Sequence, residues 1–496
     1  MKSNPKARGI FIAIRATRYA ILIIALSSQF TAHAQVRVIT LDEAISMTQE
    51  NSVSALKNRN NAMITELNFK IYRADHKPSI GISATIPNLN RSISAITLPD
   101  GTDAFISRSL ANSSVGIQMH QIIPYTGTQI DFSSGLERID ILDDTSNASY
   151  LSNPYVISLR QPIYSYNPYR WDLKIQPLQH EEGQKKFSQG KEEVAIEAIN
   201  VFFDLYLAQI NYEMAEKNYK NNDTLYNITS GRYNIGTIGE NELLQMELNL
   251  LNSQFNLSNA KINLADTKFR FAKLTGLPYD TPFELSVPSE IPALQVDYSF
   301  ALQQALQHNP SVITRRIQQI QADQSVAQAR YNSGFNANLF VSYGVSKSTQ
   351  DVNDIYTDAQ DEEMLVFGVE LPIVGWGKAR NQTSVAELYR DVTVKEIELA
   401  TAQFEHDLFM MVERFNQQED QMLIAGKSDA VADKGYEIAK YRFMIGKIGI
   451  TELNIAAEGK DRAKESYVSA LKNYWLNYYG LRKETLYDFI SGRQLK

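Results

Sequence analysis

Arg232-Tyr-Asn-Ile-Gly-Thr-Ile-Gly-Glu-Asn-Glu-Leu243 and Arg442-Phe-Met-Ile-Gly-Lys-Ile-Gly-Ile-Thr-Glu-Leu453 agree at seven of twelve positions, at an offset of 210 residues. Each follows one long stretch of apolar residues at helical spacing and precedes another, so each reads as a tight Gly turn joining two helices. Upstream of the first turn the stripe runs Phe187, Val194, Ala198, Val201, Leu205, Ala208, Tyr212, Ala215 and Tyr219. Downstream it continues through Leu243, Met246, Leu250, Ser253, Leu257, Ala260, Leu264, Thr267, Phe271 and Leu274. Steps of three, four and seven describe a heptad seam with small or polar residues in it, which favours closely packed coiled-coil helices. The second turn is followed by the same pattern at Leu453, Ala456, Ala463, Tyr467 and Ala470.

A weaker pair opens each half. Leu41-Asp-Glu-Ala-Ile-Ser-Met-Thr-Gln-Glu-Asn-Ser52 and Tyr298-Ser-Phe-Ala-Leu-Gln-Gln-Ala-Leu-Gln-His-Asn309 stand 257 residues apart. The order of features is therefore duplicated. Between the halves, Pro278 to Pro292 holds four prolines in fifteen residues, which excludes a helix and reads as a linker. The expected organisation is a leader at 1–34, a first repeat at 35–277, the linker at 278–292 and a second repeat at 293–496.

Between the helices the hydrophobic period becomes two. Leu365, Phe367, Val369 and Leu371 alternate with Val366, Gly368 and Glu370, and Leu339, Val341, Tyr343 and Val345 do so in the preceding run. Ile80–Ile86, Val115–Met119, Ile130–Phe132 and Tyr155–Leu159 behave alike in the first repeat, with Gln118, Asp131, Ser158 and Arg160 on the other side. A sandwich gives the same alternation, but the strand ends point to a membrane barrel. Gln121-Ile-Ile-Pro-Tyr125, Gln161-Pro-Ile-Tyr164 and Glu370-Leu-Pro-Ile-Val-Gly-Trp376 each set Pro beside an apolar residue and then an aromatic one. Tyr125, Tyr164, Tyr166, Tyr169, Trp171 and Trp376 are the candidate rim at a water–lipid boundary. So few strands cannot close a barrel alone, which predicts a ring-shaped homo-oligomer. Ala44 to Gly236 exceeds Ala301 to Gly446 by 47 residues, enough for an additional hairpin at about 110–140. The expectation is up to six strands per protomer, four from the first repeat and two from the second; the alternative leaves that hairpin outside the barrel.

Composition removes other classes. A chain of 496 residues with 44% apolar content is ordered, and 49 basic against 56 acidic residues argue against a nucleic-acid partner. The absence of Cys excludes disulfides and thiolate chemistry. Residues 1–34 carry Lys2, Lys6, Arg8, Arg15 and Arg18, a short apolar run and Ala32-His-Ala34, the form of a secretory signal peptide. His180-Glu181 has Gln184 where a zinc motif needs its second His, and His76, His120, His308 and His406 lack ligand spacing. No catalytic, cofactor or metal set emerges, so an enzyme is not expected.

Together these motifs resemble the TolC-type outer-membrane efflux protein family over nearly all of the chain beyond residue 34. Gln161–Trp171 and Arg232–Leu244 are most similar to its Bacteroidetes branch. The resemblance implies a mainly α fold with β: a trimeric transmembrane β-barrel continued by a long periplasmic α-helical coiled-coil barrel, built from two tandem repeats. It implies a homotrimer in the cell outer membrane, working with a periplasmic adaptor (membrane fusion protein) and an inner-membrane pump. Such a duct exports small molecules or proteins in a tripartite efflux or type I secretion system. By the same resemblance Ile235, Gly236, Thr237, Ile445, Gly446 and Lys447 are adaptor-docking tips, and Glu242 and Glu452 line the periplasmic constriction. Ile448 and Ile455 depart from gate residues found in some members. The competing expectation is a periplasmic or surface coiled-coil scaffold or adhesin that conducts nothing.

Overall fold

The computed structural model describes residues 37–142, 147–279, 281–288 and 292–495. The leader at 1–34 lies outside the described residues. The duplication is exact in helix length at the start of each repeat. Helix α1 (Leu41–Asn51) and α2 (Val53–Asp75) correspond to α5 (Tyr298–His308) and α6 (Pro310–Asn332), with 11 and 23 residues in each pair. Capping chemistry sets these boundaries. The Thr40 hydroxyl accepts from the Glu43 amide at 3.2 Å, and Asp297 plays that part for Phe300 at 2.8 Å. Ser52 and Asn309 break the two pairs at equivalent points, each accepting from an amide of the following helix at 3.0 and 2.9 Å.

The long helices are α3 (Tyr169–Asn234), α4 (Glu240–Thr275), α7 (Lys378–Met444) and α8 (Ile450–Thr485). Helix α3 begins 18 residues ahead of the stripe at Phe187 and contains Pro177. Buried Val194, Ala198, Leu205, Ala208, Met246, Ser253, Thr267 and Phe271 lie on the anticipated seam. In α8 the buried line is Val468, Leu471, Tyr474, Tyr478 and Leu481. The anticipated Leu453 is buried as well, whereas further along the line runs one residue beyond the anticipated Tyr467 and Ala470.

The chain divides into two compact units, each assembled from three separated stretches. One joins the residues up to Leu56 with Glu193–Ala293 and Gln417–Tyr479. There β1 (Arg37–Thr40) pairs in parallel with β6 (Phe283–Ser286), so the proline-rich segment read as a linker carries a strand between its prolines. Phe271 packs on Phe283 with ring centroids 5.3 Å apart, and Asn51 donates to the Thr275 carbonyl at 2.9 Å where Gly276, at φ 76°, ends α4.

The other unit joins Lys57–Glu192, Leu294–Asn416 and the C-terminal residues from Gly480. Its α2 and α3 approach so closely that a Cβ at Gly183 or Gly190 would collide with Thr65 or Asn58. Its main feature is one antiparallel sheet in the order β2-β3-β4-β5-β7-β8. The strands are β2 (Ser79–Thr97), β3 (Asp103–Ile123), β4 (Thr128–Ile141), β5 (Ala148–Tyr164), β7 (Asn336–Thr349) and β8 (Gln360–Glu370). Four come from the first repeat and two from the second, and the β3–β4 hairpin is hydrogen-bonded on both sides within the sheet.

Candidate transport conduit

Register separates the two faces of this sheet. Ile80, Met119, Phe132, Ile157 and Tyr343 lie side by side on one face, joined by Leu159, Val341 and Leu365 in a parallel row. Ile82 and Leu365 are each 74% exposed, so this apolar face has no cover from its own chain. The opposite face is mostly polar: one row carries Ser79, His120, Asp131, Ser158, Ser342 and Met364, and the next Gly81, Gln118, Ser133, Val156, Gly344 and Glu362. Its groups satisfy one another: His120 Nδ1 lies 2.6 Å from Asp131 Oδ1, and the Ser158 and Ser342 hydroxyls are 3.1 Å apart. A wall with one apolar and one hydrogen-bonded polar face suits lipid outside and water inside. Among the described residues no helix is long and apolar enough to cross a membrane.

One end of the sheet gathers the aromatic rim residues. Tyr125 sits in the β3–β4 turn, which Gly127 closes at φ 75° and Asn167 ties to β5 by donating to the Pro124 carbonyl at 2.9 Å. Tyr125 and Trp376 stand free, Trp376 being 94% exposed. Tyr164, Tyr166 and Trp171 are engaged within the protein. Tyr164 packs on Tyr331 at 5.2 Å, the Tyr166 hydroxyl accepts from Gln324 at 2.8 Å, and Lys174 lies 4.7 Å over the Trp171 ring.

In the first unit the two Gly turns match bond for bond. Gly236 and Gly446 take φ of 75° and 74°. Their amides donate to Tyr233 and Phe443, and the next amides, of Thr237 and Lys447, donate to Arg232 and Arg442. This Schellman ending reverses each chain with the left-handed residue placed where Gly costs least. Ile235, Thr237, Ile445 and Lys447 are exposed around the turns. Glu242 and Glu452 are exposed in the first turns of α4 and α8, where a carboxylate also complements the helix dipole.

Several residues here went unread in the sequence. Arg232 donates to the Phe443 carbonyl at 3.2 Å and also to the Met444 carbonyl, closing the end of α7. Below it, Leu225, Met246, Tyr436, Phe443, Ile450 and Leu453 form an apolar cluster. Next comes a cleft of about 550 Å³ rich in Asn, including Asn218, Asn222, Asn249 and Asn454. Asn218 donates to Asp461 at 2.7 Å, Asn249 to Asn454 at 3.0 Å, and Lys440 to Asn221 at 3.0 Å. Burial pushes the Tyr436 phenol up to about 12, although Asn221 donates to its oxygen. The repeated Tyr226 and Tyr436 were the available signal; the Asn residues have no counterparts in the other repeat.

One chain thus carries a two-faced antiparallel sheet and two long helix pairs, each pair turning at a matched Gly. Residues 44–277 match the family model described as outer membrane efflux protein. No curated protein sequence matches it. Among solved structures, the Campylobacter jejuni CmeC outer membrane channel is 16% identical, covering 90% of this chain and 85% of that one with a TM-score of 0.63. The Vibrio cholerae outer membrane protein VceC is 13% identical over 90% of this chain and 95% of that one, TM-score 0.61. The open Neisseria gonorrhoeae MtrE outer membrane channel is 14% identical over 90% and 88%, TM-score 0.57. At such identities the likeness is one of fold.

Proposed function

We propose that this protein is the exit duct of a tripartite efflux or type I secretion system, a homotrimer that passes small molecules or proteins received from an inner-membrane pump through a periplasmic adaptor. The observation that carries this reading is the six-stranded sheet, apolar on one face and polar on the other, with β2 and β8 left as open edges. Open edges in a bilayer are satisfied only by further strands, here those of other copies. The helices support the same assembly: Leu244, Leu248, Leu251, Phe255, Ile262 and Phe269 form an exposed heptad stripe on α4. The tips at Ile235, Gly236, Thr237, Ile445, Gly446 and Lys447 are the adaptor-docking turns, since the exposed Gly236 and Gly446 allow a partner's backbone to approach closely. Glu242 and Glu452 face the narrow periplasmic end, where threefold symmetry gathers like charges that select cations. Replacing both, as Glu242→Gln with Glu452→Gln, is expected to lower the cation-to-anion permeability ratio several-fold in planar bilayers. An unchanged reversal potential would remove both residues from the constriction.

A further inference from the structure

We infer that Arg442 ties each copy to the next at the helical tips, its guanidinium donating to the last carbonyls of α3 in a second copy, those of the partner's Tyr233 and the partner's Asn234. The inference rests on the assembly proposed above and adds the contact that holds its tips together. Within one copy, Arg232 of the first hairpin reaches the Phe443 and Met444 carbonyls of the second. The two turns carry the same internal hydrogen bonds and the same positive-φ glycines. At the repeat offset of 210, Arg232 corresponds to Arg442, and Phe443 and Met444 correspond to Tyr233 and Asn234. Donor and acceptors are thus both duplicated, and among the described residues the chain bonds the Arg232 set within itself while Arg442 is exposed.

Burial follows the same division. Phe443, at 7% exposed, and Leu453, at 3%, are covered by the first hairpin, whereas the equivalent Tyr233 is 39% exposed. Asp461 is bonded to Asn218, whereas its equivalent Leu251 is 55% exposed. On the second hairpin, Val431 corresponds to the bonded Asn221 and is 70% exposed. Several residues used inside the chain thus have repeat counterparts that it leaves exposed, namely Tyr233, Leu251 and Val431, all apolar or aromatic. In a ring that alternates first and second hairpins, the open surfaces of adjacent copies face each other, with Arg442 placed as Arg232 is. A charged donor there is favourable, because a carbonyl that already accepts from the Gly amide keeps a second lone pair, as Phe443 shows with Arg232, and helix-end carbonyls carry the negative end of the dipole.

The chain has no Cys, so paired substitutions report directly. Arg442→Cys with Asn234→Cys, treated with a short bismaleimide in the purified full-length protein, is expected to give covalent dimers and trimers on a denaturing gel. The equivalent pair Arg232→Cys with Met444→Cys is expected to give only internally linked monomers. Arg442→Ala is expected to speed dissociation of the oligomer in detergent at least three-fold. A preparation whose native mass is trimeric, but whose first pair links no more than either single variant and whose Arg442→Ala dissociates at the wild-type rate, overturns the inference and leaves the trimer standing. A monomeric native mass overturns both.

Discussion

Tyr436 carries the strongest chemical signature in the helical unit. Its phenol is 3% exposed and is pushed up to about 12, as is that of Tyr474, in both cases chiefly by burial. A folded-state value above the unfolded one near 10 means that this stabilisation is complete below about pH 10 and is lost as pH rises through about 12. Far-ultraviolet circular dichroism should therefore show helix loss in that window for the wild type. The step should shrink in Tyr436→Phe and shift to higher pH in Tyr436→Phe with Tyr474→Phe. An unaltered alkaline transition in the double variant would show that other groups control it. Neither tyrosine could be selected from sequence, because burial of a ring depends on the helices brought against it, and 26 tyrosines offer no ranking.

At the level of elements, packing without a side chain is as decisive as packing with one. Gly190 lets α3 lie against Asn58 of α2, whose side chain donates to the Phe187 carbonyl at 2.9 Å. Gly190→Val should destabilise the protein by about 1–3 kcal/mol through overpacking, read as a lower melting temperature, whereas Gly459→Ala, with open space around it, should not. Elements with strong local codes were legible in the sequence. The Gly turns followed from repetition, and the strand faces from period-two patterning in the runs that became the six-stranded sheet. Elements defined by distant partners were not. Phe283–Ser286 is a strand because Arg37–Thr40 pairs with it, and the inward line of α8 runs through Tyr474 and Tyr478. The Arg232 contact was hidden for the same reason, since its acceptors are backbone carbonyls 211 and 212 residues away.

The whole chain presents surfaces that one copy cannot satisfy: two open sheet edges, an uncovered apolar sheet face and an exposed heptad stripe along α4. Water tolerates none of these well, and a bilayer together with further copies satisfies all of them. Period-two strands and heptad helices were the sequence signal for these surfaces. The cargo is less so, because the polar sheet face mixes Ser, Gln, His, Asp and Glu without a dominant chemistry. The central claim is that copies of this chain enclose a water-filled duct, and planar-bilayer conductance measured with the native mass of the same detergent-purified sample tests it most directly. The account predicts a trimer that gives discrete, long-lived conductance steps; a monomer that leaves the bilayer silent would contradict it.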